Sequence, residues 1–210
     1  MFLFFRRYSF IFFVIFMTVS LYMIFLYAPR ERIMGDVQRI FYFHMGYVLV
    51  FTIAYIMNLI YSIKFLKNNK NSDSDLAYIN AEIGTLFTLL TLVSGMIWAK
   101  PVWGTWWTSD PQLTTTLILF ILYFTYLVFH KLAVKSGVPR YSSVFAIIAF
   151  IDLPIVYISV RIMRGISPVV FGGDGGGISS EMMDTLLVTF AAFFFLYIYL
   201  LDIRIKVDKI

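Results

Sequence analysis

Residues 9–28 read SFIFFVIFMTVSLYMIFLYA, a continuous apolar run without a charged side chain. An α-helix needs about 20 predominantly apolar residues to cross the hydrocarbon core of a bilayer, so this stretch predicts a transmembrane helix. Other runs of similar length and composition follow it along the chain. Together they predict about six transmembrane helices, at approximately residues 9–28, 41–63, 78–99, 113–130, 141–160 and 183–202.

The composition agrees with this interpretation. Of 210 residues, 60% are hydrophobic and only 14% are charged, whereas about 25% of the residues in an ordinary soluble domain are charged. The shortage of charge excludes a water-soluble globule, a disordered tail and a fibrous repeat. We therefore predict an all-α integral membrane protein in which residues 1–210 form a single polytopic membrane domain.

The basic residues predict topology rather than a nucleic-acid partner. The formal net charge is +5, but the lysines and arginines fall mostly between the apolar runs, where they orient membrane helices. No nucleic acid is expected to bind. The sequence contains no cysteine, which excludes disulfides, thiol chemistry and metal sites with thiolate ligands.

The distribution of positive charge favours both termini on the cytoplasmic side. With that orientation the inner segments carry Arg6, Arg7, Lys64, Lys67, Lys70, Lys131, Lys135, Arg140, Arg204, Lys206 and Lys209, and the outer segments carry only Arg30, Arg32, Arg39, Lys100, Arg161 and Arg164. No small-residue cleavage site follows the first arginines, so we expect an uncleaved first span. The unusual chemistry lies in the predicted outer segments 29–40, 100–112 and 161–182, whereas the inner segments 64–75 and 131–140 are expected to be plain solvated connectors.

The segment 29–44 (PRERIMGDVQRIFYFH) is amphipathic. Its apolar residues recur at helical spacing, and its charged residues fall on the opposite face, which predicts an interfacial helix on the outer face before the second span. His44 comes about one turn into that span. It is either a packed, hydrogen-bonded interfacial residue or a ligand of a metal or haem, since imidazole is the commonest protein ligand at such sites.

Three of the four tryptophans occur close together, in the stretch WGTWWTSD that begins at Trp103. They form either an aromatic belt at headgroup depth or a platform for a flat hydrophobic ligand. If the segment is helical, Trp103, Trp106, Trp107 and Asp110 share one face. Asp110 also precedes a proline and an apolar run, which is typical of a helix N-cap.

Other polar residues leave two interpretations open. Asp152 lies mid-span shortly before Pro154, where it either satisfies backbone groups at a kink or has a function. Arg161 and Arg164 are three residues apart, so they can receive carboxylates together or anchor the helix at the interface. The glycine-rich stretch 171–178 has no phosphate-loop pattern and predicts a flexible outer loop.

Several short motifs resemble one known family. They are residues 35–44 (GDVQRIFYFH), residues 81–84 (AEIG), Lys100-Pro101-Val102 with the following Trp-rich stretch and its aspartate, Leu113-Thr114, and residues 152–156 (DLPIV). This pattern resembles the heme exporter protein C family, the haem-handling C protein of the cytochrome c maturation system. The resemblance extends from about residue 9 to residue 202.

The resemblance implies a function. Members hold haem b as bound cargo at the outer, periplasmic face of the cytoplasmic (inner) membrane of a bacterium and deliver it to a membrane-anchored haem chaperone. They work with ATP-binding-cassette subunits and small membrane subunits of the same system. His44 matches the first axial ligand of the haem iron, and Trp103, Trp106, Trp107 and Asp110 match the haem platform. The expected role is a binding and delivery module rather than an enzyme.

The sequence departs from the family pattern at the second axial ligand. Ser167 stands where the family has a histidine, and the only other histidine, His130, is predicted to lie on the cytoplasmic side. A thioether from Met163, water or a partner protein could fill the sixth position, and Arg161, Arg164 or Arg39 would lie near the haem propionates. The alternative function is a haem-free permease or scaffold subunit of an ATP-binding-cassette exporter, with the tryptophans as a belt.

Overall fold

A computed structural model describes residues 2–31, 34–162 and 178–208, with side chains described for 7–31, 34–159 and 178–208. The described residues are almost entirely helical. The helices are α1 (Phe2–Tyr22), α2 (Arg39–Asn68), α3 (Asn71–Trp103), α4 (Pro111–Lys135), α5 (Arg140–Phe150), α6 (Asp152–Ile162) and α7 (Ser180–Asp208). A π-helix at Met23–Tyr27 extends α1, and a 3-10 helix at Asp36–Gln38 leads into α2.

Within the described residues, six helical segments are long and apolar enough to cross a membrane, which confirms the predicted all-α membrane fold. They are Arg7–Tyr27, Asp36–Asn68, Asn71–Trp103, Pro111–Lys135, Arg140–Ser159 and Ser180–Asp208. Each of these segments contains most of one predicted span. The protein is therefore a multi-pass membrane protein.

The connection between the second and third spans is shorter than expected. The sequence predicts a solvated loop over residues 64–75, but only Asn69 and Lys70 lie between α2 and α3. Asn69 ends α2 with φ 53° in the left-handed region, and its N–H donates to the Phe65 carbonyl over 2.8 Å. Asparagine tolerates this conformation, so the turn is tight. The loop prediction was wrong because the polar residues belong to helix ends.

The same correction applies to residues 131–140, predicted as a connector. Helix α4 continues to Lys135, and α5 begins at Arg140. Gly137 adopts φ 73° in the short turn between them, a conformation in which glycine meets no Cβ penalty. The connector is therefore shorter than predicted, because the charged residues at its two ends belong to the last turn of α4 and the first turn of α5.

The fifth span is broken rather than continuous. Helix α5 ends at Phe150, and α6 begins at Asp152, so Pro154 lies in the first turn of α6. Proline is tolerated in a first turn because the N–H it lacks would have no intrahelical partner there. Asp152 is buried, and its Oδ2 has no hydrogen-bond partner within the described part of the chain.

The bundle core is formed by buried side chains of α2, α3 and α4, with further contributions from α5, α6 and α7. Helix α2 packs along α3, α4 packs against α3, α5 and α6, and α1 packs along α7. In the centre, the Tyr55 ring stacks on the Tyr123 ring with centroids 3.5 Å apart, and the Tyr55 hydroxyl lies 2.8 Å from Thr88 Oγ1. Gly84 of α3 faces this ring, so the two helices approach closely there.

Alternation of the spans assigns each residue to one end of the bundle. The first turns of α2 and α4 and the last turns of α3 and α6 lie at the same end of the bundle, which we call the pocket end. His44 lies there, near the start of α2. His130 lies near the end of α4, at the opposite end, together with the Arg204–Glu82 ion pair, whose Nε and Oε2 are 2.6 Å apart.

Candidate ligand-binding pocket

Helices α2, α3, α4 and α6 line a partly open cavity of about 140 Å³ at the pocket end. Its walls are mostly aliphatic and aromatic, with few polar side chains. It is lined by Phe41, His44, Met45, Val48 and Phe51 of α2, Thr91, Leu92, Gly95, Trp98 and Trp103 of α3, Gln112, Leu113 and Thr116 of α4, and Val156 and Tyr157 of α6. An apolar cleft with a few convergent polar groups is typical of a ligand site.

His44 supplies the imidazole of this pocket. Its Nδ1 lies 2.9 Å from Ser94 Oγ of α3. A Cβ added at Gly95 would lie 3.4 Å from His44 Cε1, so the ring packs against the α3 backbone at the glycine. His130 makes a similar contact with Ser142, at 3.0 Å, but it does not line this pocket.

The structure divides the four tryptophans into two pairs. Trp98 and Trp103 both line the pocket, with ring centroids 5.1 Å apart and ring planes at 84°. Trp106 and Trp107 are 53% and 36% exposed, outside any helix. Gly104 ends α3 with φ 75°, and its N–H donates to the Lys100 carbonyl over 3.0 Å.

Residues 104–110 are not helical, so the condition under which Trp103, Trp106, Trp107 and Asp110 would share one helical face is not met. The loop nevertheless begins and ends at the pocket. Trp103 precedes it and Gln112 follows it, and both residues line the cavity. The exposed pair thus belongs to a loop that borders the pocket.

Sequence reasoning missed Trp98, which it counted as part of a span. A signal was present, because Thr91, Gly95 and Trp98 recur at the i, i+4, i+7 spacing of one helical face. All three line the pocket. A stripe of small, hydroxylated and aromatic residues on an otherwise aliphatic helix could have identified this face of α3.

Asp110 is a helix cap, as one of its two interpretations predicted. Its Oδ1 accepts from the Gln112 N–H over 2.9 Å, Pro111 occupies the first turn of α4, and Asp110 itself is buried. The side chain thereby sets where α4 begins and where Gln112 enters the pocket wall.

We expect Asp110→Ala to destabilise the protein by about 1 kcal/mol, the typical cost of losing an N-cap. Asp110→Ser and Asp110→Asn keep a capping oxygen and are expected to unfold at the temperature of the parent, whereas Asp110→Ala should unfold about 2–4 °C lower. Thermal unfolding of the purified chain in detergent, followed by circular dichroism, measures the difference. Equal unfolding temperatures for Asp110→Ala and Asp110→Ser would contradict the capping role.

The arginines near the pocket end are partly described. Arg39, in the first turn of α2, pairs with Asp36 at 3.0 Å and lies over the Phe25 ring at 5.2 Å. Arg30 pairs with the same carboxylate at 3.2 Å. The segment before α2 contains the 3-10 helix at Asp36–Gln38. Residues 32 and 33 of the predicted interfacial helix lie outside the described residues.

The predicted residues after the fifth span lie mostly outside the described part of the chain. Arg161 belongs to the last turn of α6, but its side chain is not described. Met163, Arg164 and Ser167 fall in the stretch 163–177, which lies outside the described residues. Among the described residues, Met45 is the methionine that lines the cavity, and the sequence analysis did not single it out.

Comparison with known proteins identifies relatives over most of the chain. The family described as Heme exporter protein C matches residues 4–209. A Marchantia polymorpha protein named "Putative cytochrome c biosynthesis ccmC-like mitochondrial protein" is 33% identical over 85% of this chain and 77% of its own length. "Heme exporter protein C" of Haemophilus influenzae is 32% identical over 87% of this chain and 75% of its own length. The protein of that name from Escherichia coli K12 is 31% identical over 70% of this chain and 61% of its own length.

Proposed function

Because the chain belongs to the heme exporter protein C family, we propose that the pocket beside His44 binds haem as cargo. Membership of the family supports a role in haem handling for cytochrome c maturation. The protein binds haem b and passes it on, and it acts as a carrier rather than as an enzyme with turnover.

One observation carries the proposal: His44 lines an apolar, aromatic cavity between four helices. A neutral imidazole is a common ligand of haem iron. The Trp98 and Trp103 rings give the cavity flat, polarisable walls that suit a porphyrin. The chemistry of the lining side chains therefore fits a flat hydrophobic molecule with a metal centre.

The size of the cavity limits how deeply haem enters. Its volume of about 140 Å³ is below the roughly 300–1,000 Å³ of sites that enclose a drug-sized ligand. Part of the porphyrin therefore lies outside the cavity, against the loop that carries the exposed Trp106 and Trp107. The propionates face Arg39, Arg161 or Arg164, because a guanidinium receives a carboxylate through two parallel hydrogen bonds.

The second axial ligand is not a histidine of the same chain. His44 and His130 lie at opposite ends of membrane-spanning helices, so the two cannot hold one iron. The sixth position is filled by Met163, by the pocket methionine Met45, by water or by a partner protein. Met–His ligation would raise the reduction potential of the bound haem above that of a bis-histidine site.

The family and the charge distribution support the wider assignment. The protein lies in the cytoplasmic (inner) membrane of a bacterium, with both termini cytoplasmic and the pocket end periplasmic, as the excess of positive charge on the opposite segments indicates. Haem passes from the pocket to a haem chaperone. ATP-binding-cassette subunits and small membrane subunits of the same system are the partners that assemble with it.

The test is the absorption spectrum of the detergent-purified chain after titration with haem, in the oxidised and reduced states. We expect a Soret band in the parent that shifts or is lost in His44→Ala, because the iron loses its imidazole. His130→Ala is the matched control, since it removes the other histidine at the far end of the bundle. It should leave the spectrum unchanged.

Two results would contradict the proposal. Equal spectra and equal haem content in the parent and His44→Ala would exclude His44 as a ligand. Absence of a Soret band in the parent after incubation with excess haem and removal of the unbound haem would favour the haem-free permease or scaffold function, in which the tryptophans only anchor the chain at the interface.

A further inference from the structure

Ser94 of α3 has two close polar neighbours. Its Oγ lies 2.9 Å from His44 Nδ1 and 3.1 Å from the backbone carbonyl oxygen of Thr91. Ser94 is buried at the contact between α2 and α3. Both distances are within the range of a hydrogen bond.

Counting protons decides the direction of these bonds. A serine hydroxyl has one proton to donate, and a carbonyl oxygen can only accept. If the hydroxyl donates to Thr91, it must accept from a proton on His44 Nδ1, and both contacts are then hydrogen bonds. If it donates to Nδ1 instead, the Ser94 and Thr91 oxygens face each other 3.1 Å apart without a proton between them. The first arrangement satisfies both contacts.

We infer that Ser94 is a positioning residue that holds His44 in the tautomer protonated at Nδ1, which leaves the Nε2 lone pair available to a ligand in the pocket. The importance of that lone pair for iron rests on the proposed function. The tautomer itself is a property of the haem-free chain. The two can therefore be tested separately.

The expected consequence is tighter haem binding. A hydrogen bond from the distal nitrogen of a ligating histidine fixes the ring orientation and raises its basicity, and losing such a partner typically costs about 10–100-fold in metal affinity. Gly95 supports the same orientation, because the imidazole packs on α3 where no side chain intervenes.

The second histidine provides a matched control. His130 Nδ1 lies 3.0 Å from Ser142 Oγ, which in turn donates to the Pro139 carbonyl over 2.7 Å. The same proton count therefore applies at a site that does not line the pocket. Ser142→Ala removes an equivalent hydroxyl without touching the proposed haem ligand.

The first measurement uses the haem-free chain labelled with ¹⁵N-histidine in detergent micelles. The protein has two histidines, so His130→Gln assigns both sets of ring signals. We expect the His44 ring of the parent to show a protonated Nδ1 and an unprotonated Nε2. Ser94→Ala should shift His44 towards the other tautomer, and Ser94→Thr, which keeps a hydroxyl, should not. Ser142→Ala should leave the His44 signals unchanged.

The second measurement is a haem titration with the midpoint potential of the bound haem. Ser94→Ala is expected to bind haem about 10–100-fold more weakly and to show a higher midpoint potential, because the ligand donates less charge to iron. Ser94→Thr and Ser142→Ala are expected to match the parent in both quantities. A purely structural role for Ser94 would not move the potential.

The outcomes separate this inference from the proposed function. A parent His44 protonated at Nε2, or a Ser94→Ala variant with unchanged ring signals, would overturn the inference whether or not haem binds. Should Ser94→Ala fail to fold, the parent and Ser94→Thr spectra still decide the tautomer. A parent that shows the expected tautomer but takes up no haem would refute the proposed function and leave the positioning role of Ser94 intact.

Discussion

Gly84→Ala is expected to lower the unfolding temperature more than Gly95→Ala, the same change at the other glycine of α3. A Cβ at this position would overlap the ring of Tyr55 on α2. That ring is fully buried, stacked 3.5 Å from Tyr123, with its hydroxyl 2.8 Å from Thr88 Oγ1. It has no free space to move into, so α2 and α3 would have to separate.

The expected cost exceeds the gain in helix propensity. Overpacking a core typically costs about 1–3 kcal/mol, and replacing glycine by alanine inside a helix returns about 1 kcal/mol. Because the overlap is with an aromatic ring fixed on both sides, we expect the cost to lie at or above the upper end of that range. Thermal unfolding in detergent and the yield of monodisperse protein would measure it.

Gly95→Ala is the matched control, because it makes the same change on the same helix. The added Cβ would lie 3.4 Å from His44 Cε1, an ordinary van der Waals contact, so the unfolding temperature should stay at or slightly above that of the parent. A smaller side chain at Tyr55 should partly rescue Gly84→Ala, since the two changes share one contact. Equal unfolding temperatures for the two alanine variants would show that α2 and α3 do not meet at Gly84.

The number of spans was predictable because bilayer thickness sets a minimum length for each apolar run. The connections were not predictable. The polar residues of segment 64–75 are as typical of a loop as they are of two helix ends, and in the structure they form helix ends. The contact between Tyr55 and Gly84 was also beyond the sequence. It depends on the relative rotation of two helices, which the apolar runs leave open because lipid and protein neighbours are equally hydrophobic.

The candidate site was predicted in part. His44 and Trp103 were both singled out, and the structure places both in one cavity. Trp98 was missed because it lies inside an apolar run, where one more aromatic residue carries no signal by itself. The sequence left open whether the Trp-rich stretch is helical, and the structure ends α3 at Gly104, since glycine after a lysine-containing last turn is a common helix end.

Replacing Trp98 and Trp103 together by alanine is expected to remove most of the bound haem. Both rings are half-buried and line the cavity beside His44, and a tryptophan that acts as a binding hot spot costs about 2 kcal/mol or more on truncation. The double variant should therefore bind haem at least about 100-fold more weakly, since each 1.4 kcal/mol is tenfold. A haem titration and the haem content of the purified protein measure the loss.

The matched variant is Trp106→Ala with Trp107→Ala, which removes the same number of rings from the exposed loop. In the proposed arrangement these rings contact only the part of haem that lies outside the cavity, so we expect a smaller loss of affinity and a Soret band at the parental position. Phenylalanine at positions 98 and 103 should give an intermediate loss, because it keeps an aromatic wall of smaller area.

The order of these losses locates the haem. A larger loss of haem affinity in the Trp106/Trp107 variant than in the Trp98/Trp103 variant would mean that the porphyrin lies chiefly on the loop. His44 would then reach the iron from the edge of that loop. No loss from either pair, in a parent that does bind haem, would show that all four rings only anchor helix ends at the interface. With the expected order, the cavity wall between α3 and α2 is the haem-binding surface, and the loop covers the part that remains outside.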